Sequence, residues 1–160
     1  NSVAAAHAFL DQVPIPPAHR HLIHAERGPV AAASDYELTL TGTMTGNPDA
    51  APWLPFDLVL LGMGEDGHTA SLFPGHLWPA GPLVIPVTDA PKPPPRRVSL
   101  TPEALRASRE QLIMVTGAGK APALAAWRAG ADLPVARVAA SGATLTLVDS
   151  DACPDDLTTH

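Results

Sequence analysis

FDLVLLGMGEDGHTASLFPGH, running from Phe56 to His76, carries more structural information than any other segment of the chain. Phe56, Leu58, Val59, Leu60 and Leu61 form a near-continuous apolar run broken only by Asp57. Such a run predicts a strand covered on both faces, as in parallel α/β sheets. Gly62, Gly64 and Gly67 then allow a sharp turn and a close approach of backbone to a ligand. His68 follows at once, and Thr69, Ala70 and Ser71 are expected to enter a short helical turn. Ligands of open α/β sheets sit beyond the carboxyl ends of the strands, so His68 stands where chemistry is expected.

Gly62 to Gly67 also matches G-x-G-x-x-G, the dinucleotide fingerprint, and Asp89 lies at a plausible distance for a ribose ligand. That fingerprint needs a full helix after the turn. Pro74, Gly75, Pro79, Gly81 and Pro82 leave room for a turn or two only. Glu65 and Asp66 would also lie against a pyrophosphate. The dinucleotide reading is therefore set aside.

Composition narrows the classes further. The 160 residues are 46% apolar, enough for one domain with a core. Nineteen prolines imply stiff loops and abrupt element ends. A net charge of -6 argues against a nucleic-acid surface. An anionic substrate would then need a local basic pocket. The single cysteine, Cys153, excludes an intrachain disulfide and agrees with a reducing, cytoplasmic setting. No run is long and apolar enough to span a membrane, and no signal peptide is visible.

GMGEDGHTASLFPGH, Gly62 to His76, closely resembles the signature of the 6-phosphogluconolactonases. Their superfamily, which includes the glucosamine-6-phosphate deaminases, shares the G-x-G-x-D-G-H core. Deaminases continue with an Ile-Ala-Phe-Asn-Glu-like segment, whereas this chain continues Thr69-Ala70-Ser71-Leu72-Phe73-Pro74 as the lactonases do. Two further segments are similar to the family. PPRRVSLTP, ending at Pro102, contains the arginine that lines the substrate site in lactonases, here Arg97, with Arg96 its neighbour in sequence. Gly117 to Ala121 matches Gly-x-x-Lys-Ala, whose lysine, here Lys120, lies at that site.

The resemblance implies an open, mostly parallel Rossmann-like α/β sheet with helices on both faces, of the ribose-5-phosphate isomerase/deaminase kind. Lactonases of this type carry a first βα unit, a Ser/Gly-rich phosphate loop and an Asp-Glu-Arg motif, none of which appears in residues 1–160. The chain is thus expected to be a single truncated domain lacking the first βα unit, roughly the C-terminal two-thirds of the family fold. Its own activity is an open question.

The remaining elements follow from pattern and punctuation. Val3 to Gln12 reads as a helix burying Phe9 and Leu10 and stopped by Pro14. Arg20 to Ala25 reads as a strand. His19, His21 and His24 tempt a metal reading, but no Cys or carboxylate cluster completes it, and alternation sends His21 and His24 to opposite faces. Pro29 to Gly42 reads as a helix with Ala33, Tyr36 and Leu40 on one face. Thr43 to Pro55 reads as a connector. Leu83 to Thr88 reads as a strand, and Ala90 to Pro95, APKPPP, as a stiff extended segment. Thr101 and Pro102 should cap and open a helix to about Ser108. Gln111 to Thr116 reads as a strand leading through a glycine turn into a helix ending at Gly130. That arrangement forms an anion site by itself, to which Lys120 adds a charge. Val135 to Ala139 and Thr144 to Asp149 read as strands around Ser141-Gly142, and Asp151 to His160 as a frayed tail.

The chemistry implied is hydrolysis of 6-phospho-D-glucono-1,5-lactone to 6-phosphogluconate. A lactone is an activated ester, so water needs only a base and charge stabilisation. His68 is the candidate catalytic residue, since an imidazole has a neutral form available near neutral pH. Gly64, Asp66, Gly67, Arg97 and Lys120 are the candidate substrate-binding residues. Arg97 and Lys120 would hold the phosphate or the developing oxyanion. Asp66 could orient His68 or hold the turn, and the second role is preferred. No metal or cofactor is called for, and there is no nucleophilic serine elbow. The expected partner is a small phosphosugar lactone, with no nucleic acid and no membrane; oligomeric state is left open. Two other readings remain: a glucosamine-6-phosphate deaminase-like isomerase, and a non-catalytic phosphosugar-binding fragment.

Overall fold

The computed structural model describes residues 2–42, 56–139 and 143–153. The expected connector at 43–55, the Ser141-Gly142 turn and the tail from 154 onward lie outside them. The architecture is mixed α/β. Strands β1 (Phe56–Gly62), β4 (Ser108–Val115) and β5 (Thr144–Val148) form a parallel three-stranded sheet in the order β1-β4-β5. Strands β2 (Val84–Val87) and β3 (Arg97–Leu100) form a separate antiparallel pair.

The parallel sheet carries large apolar side chains on both faces, because Leu58 to Leu61 and Leu112 to Val115 are apolar at successive positions that point alternately up and down. The β1–β4 register pairs Val59 with Gln111 and Leu61 with Ile113. Val59, Leu61, Ile113 and Val115 therefore share one face, and all are buried. Leu105 of α3 (Pro102–Arg106), Ala123 and Leu124 of α4 (Ala121–Arg128), and Val135 and Val138 of α5 (Pro134–Val138) join them in one core. Leu58 and Leu60 point to the opposite face and stay about half exposed. The expectation that β1 is covered on both faces is corrected here: among the described residues, the helices in its core cluster gather on one side.

The antiparallel pair has its own layer. Ala33, Tyr36 and Leu40 of α2 (Pro29–Leu40) pack with Leu83, Val84, Val98, Leu100 and Ala104, so the expected helical stripe is the buried one. The Glu37 carboxylate accepts from the Leu83 amide (2.9 Å) and the Val84 amide (2.7 Å), joining α2 to the start of β2. Thr101 caps α3 as expected, accepting from the Ala104 amide at 3.3 Å, with Pro102 as the first helical residue. That helix stops at Arg106, and β4 begins at Ser108, earlier than the apolar run alone suggests.

Five other expectations are corrected, the first being the extended proline segment: Ala90 to Pro95 folds back, the Ala90 amide donating to the Pro95 carbonyl at 3.0 Å. Residues 20–24 form no strand; 3₁₀ turns at Pro17–His19 and Ala25–Arg27 flank them, and Gly28 (φ 86°) redirects the chain into α2. The first helix, α1 (Ser2–Ala5), continues as a π-helical stretch over Ala6–Leu10, and Phe9 is exposed rather than buried. Val135 to Ala139 is not a strand but α5, with Pro134 at its first position. Its buried residues are Pro134, Val135 and Val138, and the spacing of three between the two valines fits one helical face. The start of the expected frayed tail is packed: Ala152 is fully buried and its amide donates to Asp149 at 2.8 Å.

Candidate active site

Strand β1 ends at Gly62, and the turn that follows is built around His68. The Gly64 amide donates to the His68 carbonyl (2.7 Å), and the Gly67 amide donates to the Gly64 carbonyl (3.0 Å). Both glycines are obligatory for space. A Cβ on Gly64 would lie 2.0 Å from Nδ1 of His68, inside the ring. Gly67 has φ 79°, and a Cβ there would meet Leu133 at 2.7 Å. The Gly67 carbonyl accepts from the Val135 amide (3.1 Å), which ties the turn to α5. The buried Thr69 hydroxyl donates to the Gly62 carbonyl (2.8 Å), which closes it onto β1. No helix follows: Thr69 bridges to Leu72, and Ala70 takes a positive φ of 49°. The expected helical turn is replaced by this tight hairpin, which also removes the helix that a dinucleotide site would need.

Asp66 holds the imidazole. Its Oδ1 accepts from the His68 backbone amide at 3.1 Å and lies 2.5 Å from Nδ1 of the ring. Partial burial alone would raise the Asp66 pKa, but the bonds from the His68 amide and ring, with the ring's charge, bring it below the ordinary carboxylate range. The carboxylate is therefore the resting form. The pair's contribution is present above the ordinary carboxylate range and is lost only as pH falls through the lowered value. An ionised carboxylate accepts only, so the hydrogen between the pair sits on Nδ1, the tautomer that in a neutral ring leaves the lone pair on Nε2. Asp66 thus holds the turn and orients the ring at once.

Phe73 forms the floor. It is buried, and its ring centroid lies 4.7 Å from that of His68 and 5.7 Å from that of His76. Arg97 lies over the same ring at 5.3 Å. Its Nε donates to the Pro94 carbonyl (2.9 Å) and its Nη2 to the Lys92 carbonyl (2.7 Å), so much of the guanidinium is spent clamping the proline segment. Arg96 diverges toward Gly28, where it lines a separate shallow cleft with Glu26.

Lys120 closes a 3₁₀ turn, Ala118–Lys120, between β4 and α4. The Gly117 amide, part of the expected anion site, is already bonded to both oxygens of Asp149 (3.0 and 2.8 Å). What Lys120 does reach is the field of Glu65: its charge, after the hydrogen bond and charge of Lys92, helps hold the Glu65 carboxyl below its ordinary range. Lys92 Nζ donates to Glu65 Oε2 at 2.9 Å. His68 and Arg97 thus share Phe73, while Lys92 and Lys120 share Glu65, the neighbour of Asp66.

Sequence reasoning passed over Phe73, Glu65, Lys92 and Asp149. A lone cation inside APKPPP was the available signal for Lys92, since a rigid segment holds a side chain in place without help from a helix or strand. A cleft of about 480 Å³ runs beside the site, lined by His76, Trp78, Ile85, Val87 and Asp89 among others. It borders Phe73 through His76 and does not include His68. Among the described residues, no group of His, Cys, Asp and Glu is arranged to hold a metal ion. No helix of the described residues is long and apolar enough to cross a membrane.

Residues 1–147 match the family described as glucosamine-6-phosphate isomerases/6-phosphogluconolactonase, and the chain belongs to that family. A 6-phosphogluconolactonase of Mycobacterium bovis is 41% identical over 162 aligned positions, covering 95% of this chain and 64% of the relative. The Homo sapiens 6-phosphogluconolactonase is 44% identical over 118 positions, covering 72% of this chain and 44% of the relative. The crystal structure of 6-phosphogluconolactonase from Thermotoga maritima superposes with a TM-score of 0.74 at 26% identity, covering 89% of this chain and 62% of that one. The chain therefore spans less than two-thirds of the length of each of these relatives. Family and fold agree with the resemblance carried by Gly62 to His76.

Proposed function

We propose that the chain bears the reacting histidine of a 6-phosphogluconolactonase, hydrolysing 6-phospho-D-glucono-1,5-lactone to 6-phosphogluconate. The observation that carries this reading is the Asp66–His68 pair at the carboxyl end of β1, with Nδ1 held by the carboxylate at 2.5 Å. Nε2 takes a proton from water as the oxygen attacks C1 of the lactone. The tetrahedral intermediate then collapses, the bond from C1 to the ring oxygen breaks, and Nε2 returns its proton to that oxygen. Positioned proton transfer of this kind is worth roughly 10²–10⁴-fold.

In this reading Gly64 and Gly67 shape the turn and keep it narrow, since their amides donate within the segment. Arg97 stands over Phe73 and sets the proline segment beside the site, and its charge favours an oxyanion near His68. Lys120 binds the phosphate. Shared identity of 41% and 44% with lactonases from two kingdoms supports the substrate, as does the continuation Thr69 to Pro74. A cytoplasmic setting is part of this reading and is in keeping with the single cysteine.

The test is lactone hydrolysis by the purified chain and by His68→Ala. The variant is expected to lose roughly 10²–10⁴-fold in kcat relative to the parent. Unchanged turnover in His68→Ala would remove the base. A second reading, a phosphosugar-binding fragment without turnover, is favoured by the half-exposed face of the sheet at Leu58 and Leu60. It predicts that the parent binds 6-phosphogluconate yet hydrolyses no lactone above the spontaneous rate.

A further inference from the structure

Three segments remote in sequence converge on one exposed carboxylate, that of Glu65. The glycine turn supplies Glu65 itself. The proline segment supplies Lys92, whose Nζ lies 2.9 Å from Oε2. The turn after β4 passes so close that a Cβ on Gly119 would stand 3.2 Å from Oε1, and it places the charge of Lys120 within reach. Two cations thus share one monoanion, in a chain whose overall charge is -6.

Lys92 is not held there by chance rotamers of a loose loop. The Ala90 amide donates to the Pro95 carbonyl (3.0 Å), which closes the segment on itself. Arg97 then grips it from inside, its Nη2 donating to the carbonyls of Lys92 (2.7 Å) and Pro93 (3.3 Å) and its Nε to that of Pro94 (2.9 Å). The same guanidinium lies over Phe73, whose ring meets His68. The backbone of Lys92 is therefore fixed relative to the imidazole. Its side chain is 53% exposed and that of Glu65 is 58% exposed, so the ion pair between them is open to exchange. Exposed pairs of this kind are weak, and a dianion competes well against a carboxylate for the same two lysines.

We propose that Lys92 is a phosphate-binding residue, which with Lys120 takes up the phosphate monoester of the substrate as Glu65 gives way. Glu65 is the internal stand-in that keeps both lysines in place when the site is empty. This rests on the phosphosugar lactone reading above and adds to it the source of selectivity for the phosphorylated substrate. Unphosphorylated sugar lactones lack the charge needed to displace Glu65. They meet a closed ion pair and gain nothing from Lys92.

The experiment compares Lys92→Met, Lys92→Arg and Glu65→Gln with the parent chain, using 6-phosphogluconolactone and unphosphorylated gluconolactone. Lys92→Met should raise KM for the phosphorylated lactone roughly 10- to 100-fold, as for loss of one charge-assisted hydrogen bond, with kcat within about twofold. It should leave the kinetics of the unphosphorylated lactone unmoved, and Lys92→Arg should restore most of the affinity. Glu65→Gln should lower KM for the phosphorylated lactone, because the competing carboxylate is gone. Equal effects of Lys92→Met on both lactones, or none on either, overturn the proposal. Calorimetric titration with 6-phosphogluconate and gluconate gives the same discrimination without turnover. If the parent prefers 6-phosphogluconate and Lys92→Met keeps that preference, the assignment of Lys92 falls and the phosphosugar reading stands. If the parent shows no preference, the phosphosugar reading fails and takes this inference with it.

Discussion

One face of the β1–β4–β5 sheet carries Val59, Leu61, Ile113 and Val115, each at most 8% exposed; the other carries Leu58, Leu60, Met114, Leu145 and Leu147, each between 43% and 59% exposed. Both sides carry large aliphatic residues, and the covered side also takes in Gln111, Thr144 and Thr146. The register sets Leu60, Leu112 and Leu145 in one row and Met114 beside Leu147 in the next, so the exposed side chains form a continuous patch rather than scattered single residues. Parallel strands are normally covered twice, and an apolar patch of this kind is unusual on a surface. The difference between the faces is therefore made by neighbours. Helices α3, α4 and α5 supply Leu105, Ala123, Leu124, Val135 and Val138 to one side. The site depends on that covered side, because the His68 turn is docked to α5 through the Gly67 carbonyl and the Val135 amide.

The contrast can be broken most directly at its centre. Ile113 is fully buried between β1 and β5. Ile113→Ala removes a branched side chain from a packed layer and should cost about 2–5 kcal/mol of unfolding free energy, read from urea melts. A loss below about 1 kcal/mol would mean that the covered face is loosely packed and that the two faces differ little.

Gln111 sharpens the comparison with a smaller effect. It is a polar residue of β4 on the covered face and is almost fully buried. Its Nε2 donates to the Leu105 carbonyl (2.8 Å), and its Oε1 accepts from the Thr144 hydroxyl (2.9 Å), so one side chain joins the end of α3 to β5. Gln111→Met keeps the volume and discards both bonds, leaving the Leu105 carbonyl without that donor. The expected cost is about 1–3 kcal/mol in the same melts. An unchanged midpoint would show that water reaches this face after all.

What the sequence discloses about this arrangement follows the same division. The strands are legible because Leu58 to Leu61 and Leu112 to Val115 are apolar runs, and Leu145 to Val148 is broken only by Thr146, between glycines, prolines and polar residues. The Thr101-Pro102 start and the α2 stripe are legible because capping and helical spacing are local. One-sided burial is not legible, since a run apolar at every position names no preferred face. The α5 helix is misread as a strand because Val135 and Val138 sit in a segment too short for its period to show, and Pro134 was the overlooked helix-opening signal. At the site, the Gly64 to His68 turn is local and therefore readable. The Glu65–Lys92 contact joins residues 27 apart through a folded proline segment, which no spacing rule encodes.

The smallest expected effect lies on the exposed face, and it tests the comparison from the other side. Leu145 and Leu60 already spend about half of their surface in water, so replacing either with threonine gives up little burial. Threonine also keeps a branched side chain suited to a strand. Leu60→Thr and Leu145→Thr should each shift unfolding free energy by no more than about 0.5 kcal/mol, the range of ordinary surface substitutions. If either costs as much as Ile113→Ala, then the leucine is covered in solution, and the two faces are packed alike. If both are neutral and the double variant also associates less at high concentration, the exposed patch is sticky surface. Light scattering beside the melts separates these outcomes, because burial within the chain is independent of concentration and contact between copies is not.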